Sequence, residues 1–385
     1  MKIVLAFDSF KNCLSSPEIC RILRESLLAA EPACEVLALP LGDGGEGTAR
    51  AVANACGGEM FLYPVHDPLF RMTDAEWGLL PDGSAIFEMA SASGIELISR
   101  AERDPMKTTT YGTGELLRYL ACEKNIRKFC IGIGGSATVD GGVGMLQALG
   151  VKFYDANRNL LPVPADGNAI GRIRFCDVSE VPPEVRSTEI CIASDVNNPL
   201  CGECGAARVF APQKGADPAM VEVLEQNLFN FGQRTVSAGI ADGFDFPGDG
   251  AAGGVGFALR SYLNARTASG AELVLDLLDF DRKIADADLV MTGEGRSDFQ
   301  TAHGKLCRIV SEHARKAGVP VILLSGALGE RFEELEPFFD GLFALSSAPC
   351  PLEEALENTP ENLRRMGRAI LNLLRLPLKK TVSEQ

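Results

Sequence analysis

One stretch indicates the fold of this 385-residue chain: Lys2-Ile3-Val4-Leu5-Ala6-Phe7, which is followed at once by Asp8. Short apolar runs of this kind, rich in Val and Ile, predict buried strands. A segment with helical spacing begins near Ser16-Pro17, where Ser is a good N-cap and Pro suits the first helical turn. With a further strand over 35–41 and a helix over about 47–55, the sequence opens as a βαβα unit.

The same alternation of strand and helix returns from Ala287 to Leu374. Between the two regions, residues 60–97 carry short apolar runs separated by turns, which are typical of antiparallel or mixed sheet. The predicted fold class is therefore α/β. We expect a parallel-sheet domain built from both chain ends, residues 1–59 and 286–385, with an inserted α/β domain of mixed sheet over 60–285.

Composition and charge limit the classes of function. The chain has 37 Lys and Arg against 52 Asp and Glu, a net charge of −15. This argues against nucleic acid and membrane surfaces as partners, because both require a cationic face. The twelve cysteines are too few for a disulfide framework, and Cys201 and Cys204 lack the further ligands of a zinc site. We expect a soluble cytoplasmic protein that acts on small molecules.

Five predicted strands are followed by acidic or polar residues, over 8–11, 42–48, 132–142, 194–199 and 292–298, and glycines accompany them in the second, third and fifth of these stretches. Ligands of open parallel sheets bind beyond the carboxyl ends of the strands, so these stretches form the candidate site. Clustered carboxylates repel one another unless cations lie among them, and Mg²⁺ with phosphates is a common solution. The nearby basic residues complete the set of groups that phosphoryl transfer needs: Lys11, Lys214, Arg296 and Lys305.

One of these stretches also fits a different nucleotide motif. Residues 132–137, Gly-Ile-Gly-Gly-Ser-Ala, match the GxGxxG/A pattern after a strand, with Asp155 about 20 residues further on. The stretch continues through Asp140 and Gly142 before the next helix, which is too long and too acidic for a pyrophosphate turn. An NAD-dependent hydroxyacid oxidoreductase remains an alternative.

Longer motifs follow one another in order over about residues 1–330: 8–11, 43–48, 110–115, 132–144, 195–200, 210–216, 250–254, and 292–298 with 300–301 and 304–305. This set resembles the motifs of the bacterial glycerate kinase family. The resemblance implies a Rossmann-like domain with an inserted second domain, a site in the cleft between them, and phosphorylation of D-glycerate with ATP and Mg²⁺. It favours 2-phosphoglycerate as the product, in glycolate, glyoxylate or sugar-diacid catabolism.

On this resemblance we assign roles as hypotheses. Asp195 accepts the proton of the glycerate hydroxyl, while Asp43 and Glu294 hold Mg²⁺. Positive charge at the substrate carboxylate and the γ-phosphate comes from Lys11, Lys214 and Arg296. The predicted ATP-binding residues are Gly134, Gly135, Ser136, Thr138 and Asp140. The predicted substrate contacts are Asp8, Ser9, Gly45, Asn197, Asp298 and Lys305.

The sequence departs from the usual family pattern at three places. Asn12-Cys13 stands where Gly-Ser is usual, Phe70 stands where Gly follows Asp-Pro-Leu, and Cys307 stands where Pro is usual. None of these changes removes a candidate acid or base. A non-catalytic glycerate-binding regulator on the same fold is a second alternative, and the expected assembly is a monomer or a homodimer.

Overall fold

The computed structural model describes residues 1–42, 47–303, 305–346 and 348–376. Its contacts divide the chain into two compact units, Met1–Asp43 with Val274–Gln385, and Gly44–Leu273. The sequence expectation placed these boundaries at 59/60 and 285/286. The differences arise because the helix Thr48–Cys56 packs on strands of the second unit, and the helix Phe280–Ile284 packs on a helix of the first.

The strands, in chain order, are β1 (Lys2–Phe7), β2 (Glu35–Ala38), β3 (Glu59–His66), β4 (Met72–Leu79), β5 (Ala85–Glu88), β6 (Lys128–Gly132), β7 (Lys152–Tyr154), β8 (Phe175–Asp177), β9 (Glu189–Ala193), β10 (Arg266–Ala268), β11 (Leu289–Gly293), β12 (Arg296–Ser297), β13 (Val321–Ser325), β14 (Ala327–Leu328) and β15 (Gly341–Ala344).

The helices are α1 (Ser16–Ala30), α2 (Thr48–Cys56), α3 (Ala90–Ser93), α4 (Tyr111–Cys122), α5 (Val143–Ala148), α6 (Pro183–Arg186), α7 (Ala206–Phe210), α8 (Pro218–Ser237), α9 (Ala251–Leu263), α10 (Gly270–Leu277), α11 (Phe280–Ile284), α12 (Phe299–Ala302), α13 (Leu306–Lys316), α14 (Leu352–Glu357) and α15 (Thr359–Leu374). In the described residues no helix is long and apolar enough to cross a membrane.

The first unit is built on a five-stranded parallel sheet in the order β15-β13-β11-β1-β2. Strands β11 and β13 are buried along their whole length, as expected for the centre of a sheet that is covered on both faces. Helices α1 and α15 pack against each other, and Leu23 of α1 and Leu371 of α15 lie in the same core. The carboxyl ends of β1 and β11 are therefore neighbours.

The second unit contains a six-stranded mixed sheet in the order β10-β9-β6-β5-β4-β3. Strands β3, β4 and β5 are antiparallel neighbours, whereas β5, β6, β9 and β10 run parallel. Its core includes the fully buried Phe87, Leu117, Phe231 and Phe257. The α/β class, with one parallel and one mixed sheet, is thus confirmed. The polar stretches that follow β6 and β9 meet at one edge of this sheet.

Backbone conformation explains why glycine is usual at two of the positions that depart from the family pattern. Asn12 and Phe70 both have φ of 62°, in the left-handed region that glycine adopts without strain. Asn tolerates this region better than most residues. At Phe70 the turn is held by the buried Asp67, which accepts hydrogen bonds from the backbone N–H groups of Leu69 and Arg71. The Phe70 ring stacks on His66 at a centroid distance of 4.0 Å.

Candidate active site

The loop over residues 133–142 connects β6 to α5 and carries the longest glycine-rich motif. Helix α5 begins only at Val143, whereas in a dinucleotide-binding fold the helix begins within the glycine motif. Three glycines of this loop have positive φ: Gly135, Gly141 and Gly142. The loop is joined to the segment after α3, because the backbone N–H of Ile95 donates to the carbonyl of Gly135 at 2.9 Å.

The buried side chain of Asp140 holds the end of this loop that leads into α5. Its carboxylate is fully buried and accepts hydrogen bonds from the backbone and the hydroxyl of Thr110, and from the backbone N–H groups of Gly142 and Gly144, at 2.7 to 3.2 Å. Burial raises the pKa of the carboxyl group, although the hydrogen bonds act in the opposite direction. Asp140 therefore orders the turn that starts α5.

Lys214 approaches the same loop from the 3-10 turn Pro212–Lys214. Its side chain is buried, and Nζ donates to the hydroxyl of Ser136 and to the carbonyl of Thr138, both at 2.7 Å. Burial lowers the pKa of the Lys214 ammonium to about 7, although the charge of Asp140 raises it. The structure thus brings together three residues that the sequence analysis assigned to one site.

A cavity of about 370 Å³ opens where these residues meet. It lies at the carboxyl ends of β6 and β9, the edge of the sheet that the sequence analysis favoured. The lining residues are Ile95, Arg103, Ile133, Gly134, Gly135, Ser136, Ser194, Val196, Phe210, Gln213, Lys214, Ala251 and Ala252. Gly134, Gly135, Ser136 and Lys214 were predicted as site residues. Thr138 and Asp140 are fully buried and do not line the cavity.

Asp195 and Asn197 lie on the loop that follows β9, and both are exposed. The residues that alternate with them, Ser194 and Val196, line the cavity. The Asp195 carboxylate accepts a hydrogen bond from the backbone N–H of Gly270, the first residue of α10, at 3.2 Å. The loop that lines the cavity with Ser194 and Val196 therefore also carries Asp195, the proposed base.

Arg103 is not among the site residues predicted from the sequence. Its side chain is 20% exposed and lines the cavity beside Lys214. Arg103 lies seven residues before the motif at 110–115, and its proximity to a motif is the only sequence signal that it gives. Gly215, which follows Lys214 and has φ of 100°, packs closely on the backbone of Arg103. A Cβ on Gly215 would lie 2.2 Å from the carbonyl oxygen of Arg103, so glycine at this position allows the two cationic residues to lie near each other.

The start of α9 packs closely on the glycine-rich loop. Ala252, Gly253 and Gly254 have φ of 52°, 69° and 97°, so the regular helix begins only after them. A Cβ on Gly253 would lie 2.1 Å from the carbonyl oxygen of Thr138, and the Gly253 carbonyl accepts a hydrogen bond from the Gly141 backbone N–H. This contact holds the loop in place and requires glycine at position 253.

The first unit has its own group of polar residues at the ends of β1 and β11. Glu294 is partly buried, and its Oε1 accepts hydrogen bonds from the hydroxyls of Thr301 at 2.6 Å and Ser297 at 3.1 Å. Burial raises the pKa of this carboxyl group, while Thr301, Lys305 and Ser297 oppose the rise. On the neighbouring strand end, Asp8 accepts a hydrogen bond from the backbone N–H of Ser9 at 2.7 Å.

The remaining predicted residues of the first unit lie near its surface. Asp298 caps α12 by accepting a hydrogen bond from the Gln300 backbone N–H at 2.9 Å, and Arg296 lies 3.8 Å from the same carboxylate. Lys11, Arg296 and Lys305 are exposed. Asp43 and Gly45, predicted for Mg²⁺ and substrate, lie outside the described residues. Within the described ranges no group of three or more His, Cys, Asp or Glu side chains could hold a metal ion.

Comparison with known proteins shows the family of the chain. A model of the glycerate kinase family matches residues 3–375. Glycerate 2-kinase of Escherichia coli (strain K12) is 40% identical over 98% of this chain and 99% of its own length. Glycerate kinase of Bacillus subtilis (strain 168) is 39% identical over 98% of both chains.

A solved structure gives the same result. The crystal structure of a protein from Salmonella typhimurium LT2, provisionally described as glycerate kinase 2, superposes with a TM-score of 0.87. The two chains are 41% identical, and the match covers 97% of this chain and 98% of the other. The match of sequence and fold is thus nearly full-length, and the chain belongs to the glycerate kinase family, which makes it a kinase.

Proposed function

We propose that this protein transfers the γ-phosphoryl group of ATP to the C2 hydroxyl of D-glycerate, giving 2-phosphoglycerate and ADP. The observation that carries the proposal is the cavity of the second unit, where glycine backbone, the Ser136 hydroxyl and the Lys214 ammonium face one space. Glycine-rich loops and a lysine are the groups that hold nucleotide phosphates in kinases. The name of the Escherichia coli relative, glycerate 2-kinase, supports C2 as the position.

Lys214 is positioned to contact a phosphate oxygen. Two of its three N–H groups are used by Ser136 and Thr138, which leaves one donor for a ligand. Because burial lowers its pKa to about 7, the lysine is divided between charged and neutral forms near neutral pH. A phosphate bound beside it would favour the charged form. In our proposal, nucleotide binding and protonation of Lys214 are therefore coupled.

Asp195 is the proposed general base. In our mechanism its carboxylate accepts the proton of the glycerate C2 hydroxyl as that oxygen attacks the γ-phosphorus. The hydrogen bond from the Gly270 backbone N–H orients the carboxylate, and its exposure leaves it open to a substrate hydroxyl. Asn197, two residues further along the same loop, is proposed to contact glycerate.

Residues of the first unit are proposed to hold Mg²⁺ and the substrate carboxylate. Both hydroxyl partners of Glu294 donate to Oε1, so Oε2 is the oxygen offered to a cation. Mg²⁺ is commonly bound by one or two carboxylates together with phosphates and water, so a single described carboxylate fits it. The ion would neutralise phosphate charge. Asp43 is proposed as the second carboxylate. The proposed substrate contacts here are Asp8, Ser9, Lys11, Arg296, Asp298 and Lys305. Gly45, which lies outside the described residues, is a further proposed substrate contact.

An assay that separates the two possible products tests this proposal. The purified protein is incubated with ATP, Mg²⁺ and D-glycerate, and with enolase, pyruvate kinase, lactate dehydrogenase and NADH, but without added phosphoenolpyruvate. NADH is consumed only when 2-phosphoglycerate forms, because enolase acts directly on that isomer. Adding phosphoglycerate mutase makes the same assay report 3-phosphoglycerate.

We expect NADH consumption without the mutase, and none when ATP or D-glycerate is omitted. A signal that requires the mutase would overturn the assignment of C2. Glycerate binding without any phosphorylated product would favour the non-catalytic regulator. Oxidation of NADH or reduction of NAD by the protein alone would favour the oxidoreductase.

A further inference from the structure

Arg103 presents an unsatisfied donor in the cavity of the second unit. In the described part of the chain, its Nε is buried and has no hydrogen-bond partner. Leaving a buried donor unpaired is unfavourable, because the group has lost its hydrogen bonds to water without gaining a partner. A buried polar group without a partner at the wall of a cavity is explained when a ligand supplies the missing acceptor.

The charge around Arg103 points to an anionic ligand. Its ion pair is long, 3.9 Å from Nη2 to the carboxylate of Glu96, which is itself 77% exposed. Among the described residues that line the cavity there is no Asp or Glu, whereas Lys214 lines it as well. Two cationic side chains at one desolvated site repel each other unless an anion binds between them.

The size and remaining lining of the cavity favour a nucleotide over glycerate. Several of the other lining side chains are apolar: Ile95, Ile133, Val196 and Phe210. A three-carbon hydroxy acid has no apolar surface to place against them, and it fills only part of about 370 Å³. Cavities of roughly 300–1,000 Å³ with apolar walls and a few polar groups accept larger ligands. An adenine nucleotide has both a flat apolar base and several negatively charged phosphate oxygens.

We infer that Arg103 and Lys214 together bind the phosphate groups of the nucleotide, with the base on the apolar wall. Arg103 would place its planar donor fork on two phosphate oxygens, while Lys214 acts as a point charge. This inference rests on the proposed function, because it assumes that the phosphoryl donor is an adenine nucleotide. It adds a phosphate-binding residue that lies outside the glycine-rich loop.

Binding measured without turnover tests the inference. Isothermal titration calorimetry with ATP, ADP and adenosine, and separately with D-glycerate, is performed on the wild type, Arg103→Ala and Arg103→Lys. Arg100→Ala is the matched control, since Arg100 is exposed and does not line the cavity. We expect Arg103→Ala to weaken the binding of ATP and ADP by about 10- to 100-fold, since charge-assisted hydrogen bonds to phosphate are stronger than neutral ones. Adenosine and glycerate affinities should change less than twofold.

The outcomes show whether Arg103 binds the phosphate groups of the nucleotide or the carboxylate of glycerate. Arg103→Lys should recover part of the ATP affinity, and Arg100→Ala should match the wild type. Loss of glycerate affinity alone would show that Arg103 holds the substrate carboxylate, and this overturns the inference. Unchanged ATP affinity in folded Arg103→Ala, or in Arg103→Lys if the alanine variant does not fold, also overturns it. Failure of the proposed function would appear separately, as absence of product from the wild type.

Discussion

Burial separates two lysines that the sequence assigns the same role. Lys11 follows β1 and is exposed, whereas Lys214 is buried and held by two hydrogen bonds. A lysine taken out of water loses the hydration of its charge, and this lowers its pKa. The difference has consequences for stability as well as for ligand binding, and these can be measured on the protein without substrate.

Replacing Lys214 by Met should change how stability depends on pH. The pKa of the Lys214 ammonium is about 7 in the folded state, and in the unfolded state it is near the ordinary lysine value of 10.5. Between these values the unfolded state binds more protons, so this lysine makes the free energy of unfolding rise with pH. The wild-type-minus-variant difference in that free energy should increase from pH 7 to pH 9, by up to about 1.4 kcal/mol per pH unit.

Urea denaturation at pH 7, 8 and 9, followed by circular dichroism, measures this difference. Lys128→Met is the control, because Lys128 is an exposed lysine of the same unit. That variant should keep the wild-type pH dependence. A difference between wild type and Lys214→Met that stays constant over this range would contradict the lowered pKa.

Replacing Asp195 by Asn should reduce turnover without unfolding the protein. The amide oxygen of Asn can still accept the hydrogen bond from Gly270, but the side chain no longer takes up a proton. General-base catalysis contributes about 10²- to 10⁴-fold, so kcat should fall within that range while the KM for ATP changes little. Asp242→Asn, at another exposed aspartate, is the control. Near wild-type kcat in a natively folded Asp195→Asn variant would remove Asp195 as the base.

At the scale of secondary-structure elements, proline and long-range contacts explain where sequence and structure differ. Strand β1 has the predicted limits, since its apolar run ends at the polar residue Asp8. Strand β2 was predicted to residue 41 but ends at Ala38, because Pro40 has no N–H for the sheet. Its chain still runs beside β1, since Leu41 N donates to Phe7 O.

Some features of the structure have no signal in the local sequence. Strand β10 has three residues and exists through its pairing with β9. Arg103 and Lys214 meet only in the folded chain, so neither periodicity nor a motif could bring them together. The strand-end rule did find the glycine loop of the cavity, because that rule depends on the sheet rather than on side-chain contacts.

Replacing Gly253 by Ala tests the packing of α9 on the loop. The added Cβ would lie 2.1 Å from the Thr138 carbonyl oxygen, at a φ of 69°. Gly202→Ala is a matched control, since Gly202 has φ of 93° and no atom within 4 Å of an added Cβ. Gly202→Ala should cost about 1–2 kcal/mol for the left-handed backbone alone.

Gly253→Ala should lower the free energy of unfolding by at least about 1 kcal/mol more than the control, because of the added clash. Urea denaturation gives both values. Nucleotide affinity, measured by calorimetry, should fall only in Gly253→Ala. Equal destabilisation by the two substitutions would show that the loop moves aside at no cost.

At the scale of the whole molecule, the two units differ in how they are assembled from the chain. The second unit is continuous, Gly44–Leu273, and has its own hydrophobic core. The first unit combines two distant segments, and its strand β1 pairs with the central strand β11, so that Ile3 lies beside Leu289. Continuity in sequence together with a separate core is what allows a domain to fold alone.

We therefore predict that a fragment comprising residues 44–273 folds by itself. It should show a cooperative thermal transition by circular dichroism, because its core requires no side chain from elsewhere. The segment 1–43 alone should remain unfolded, since β1 lacks β11. A fragment 44–273 without a cooperative transition would contradict the division into units.

The pairing of β1 with β11 also has a consequence during translation. A ribosome adds about 5–20 residues per second, so β1 waits on the order of tens of seconds for its partner to emerge. The continuous unit can complete its fold on the ribosome in that interval. The amino-terminal strand meanwhile exposes Ile3, Val4 and Leu5 to water, although they are fully buried in the finished protein. The nascent chain therefore carries an apolar segment without its partner strand until β11 is made.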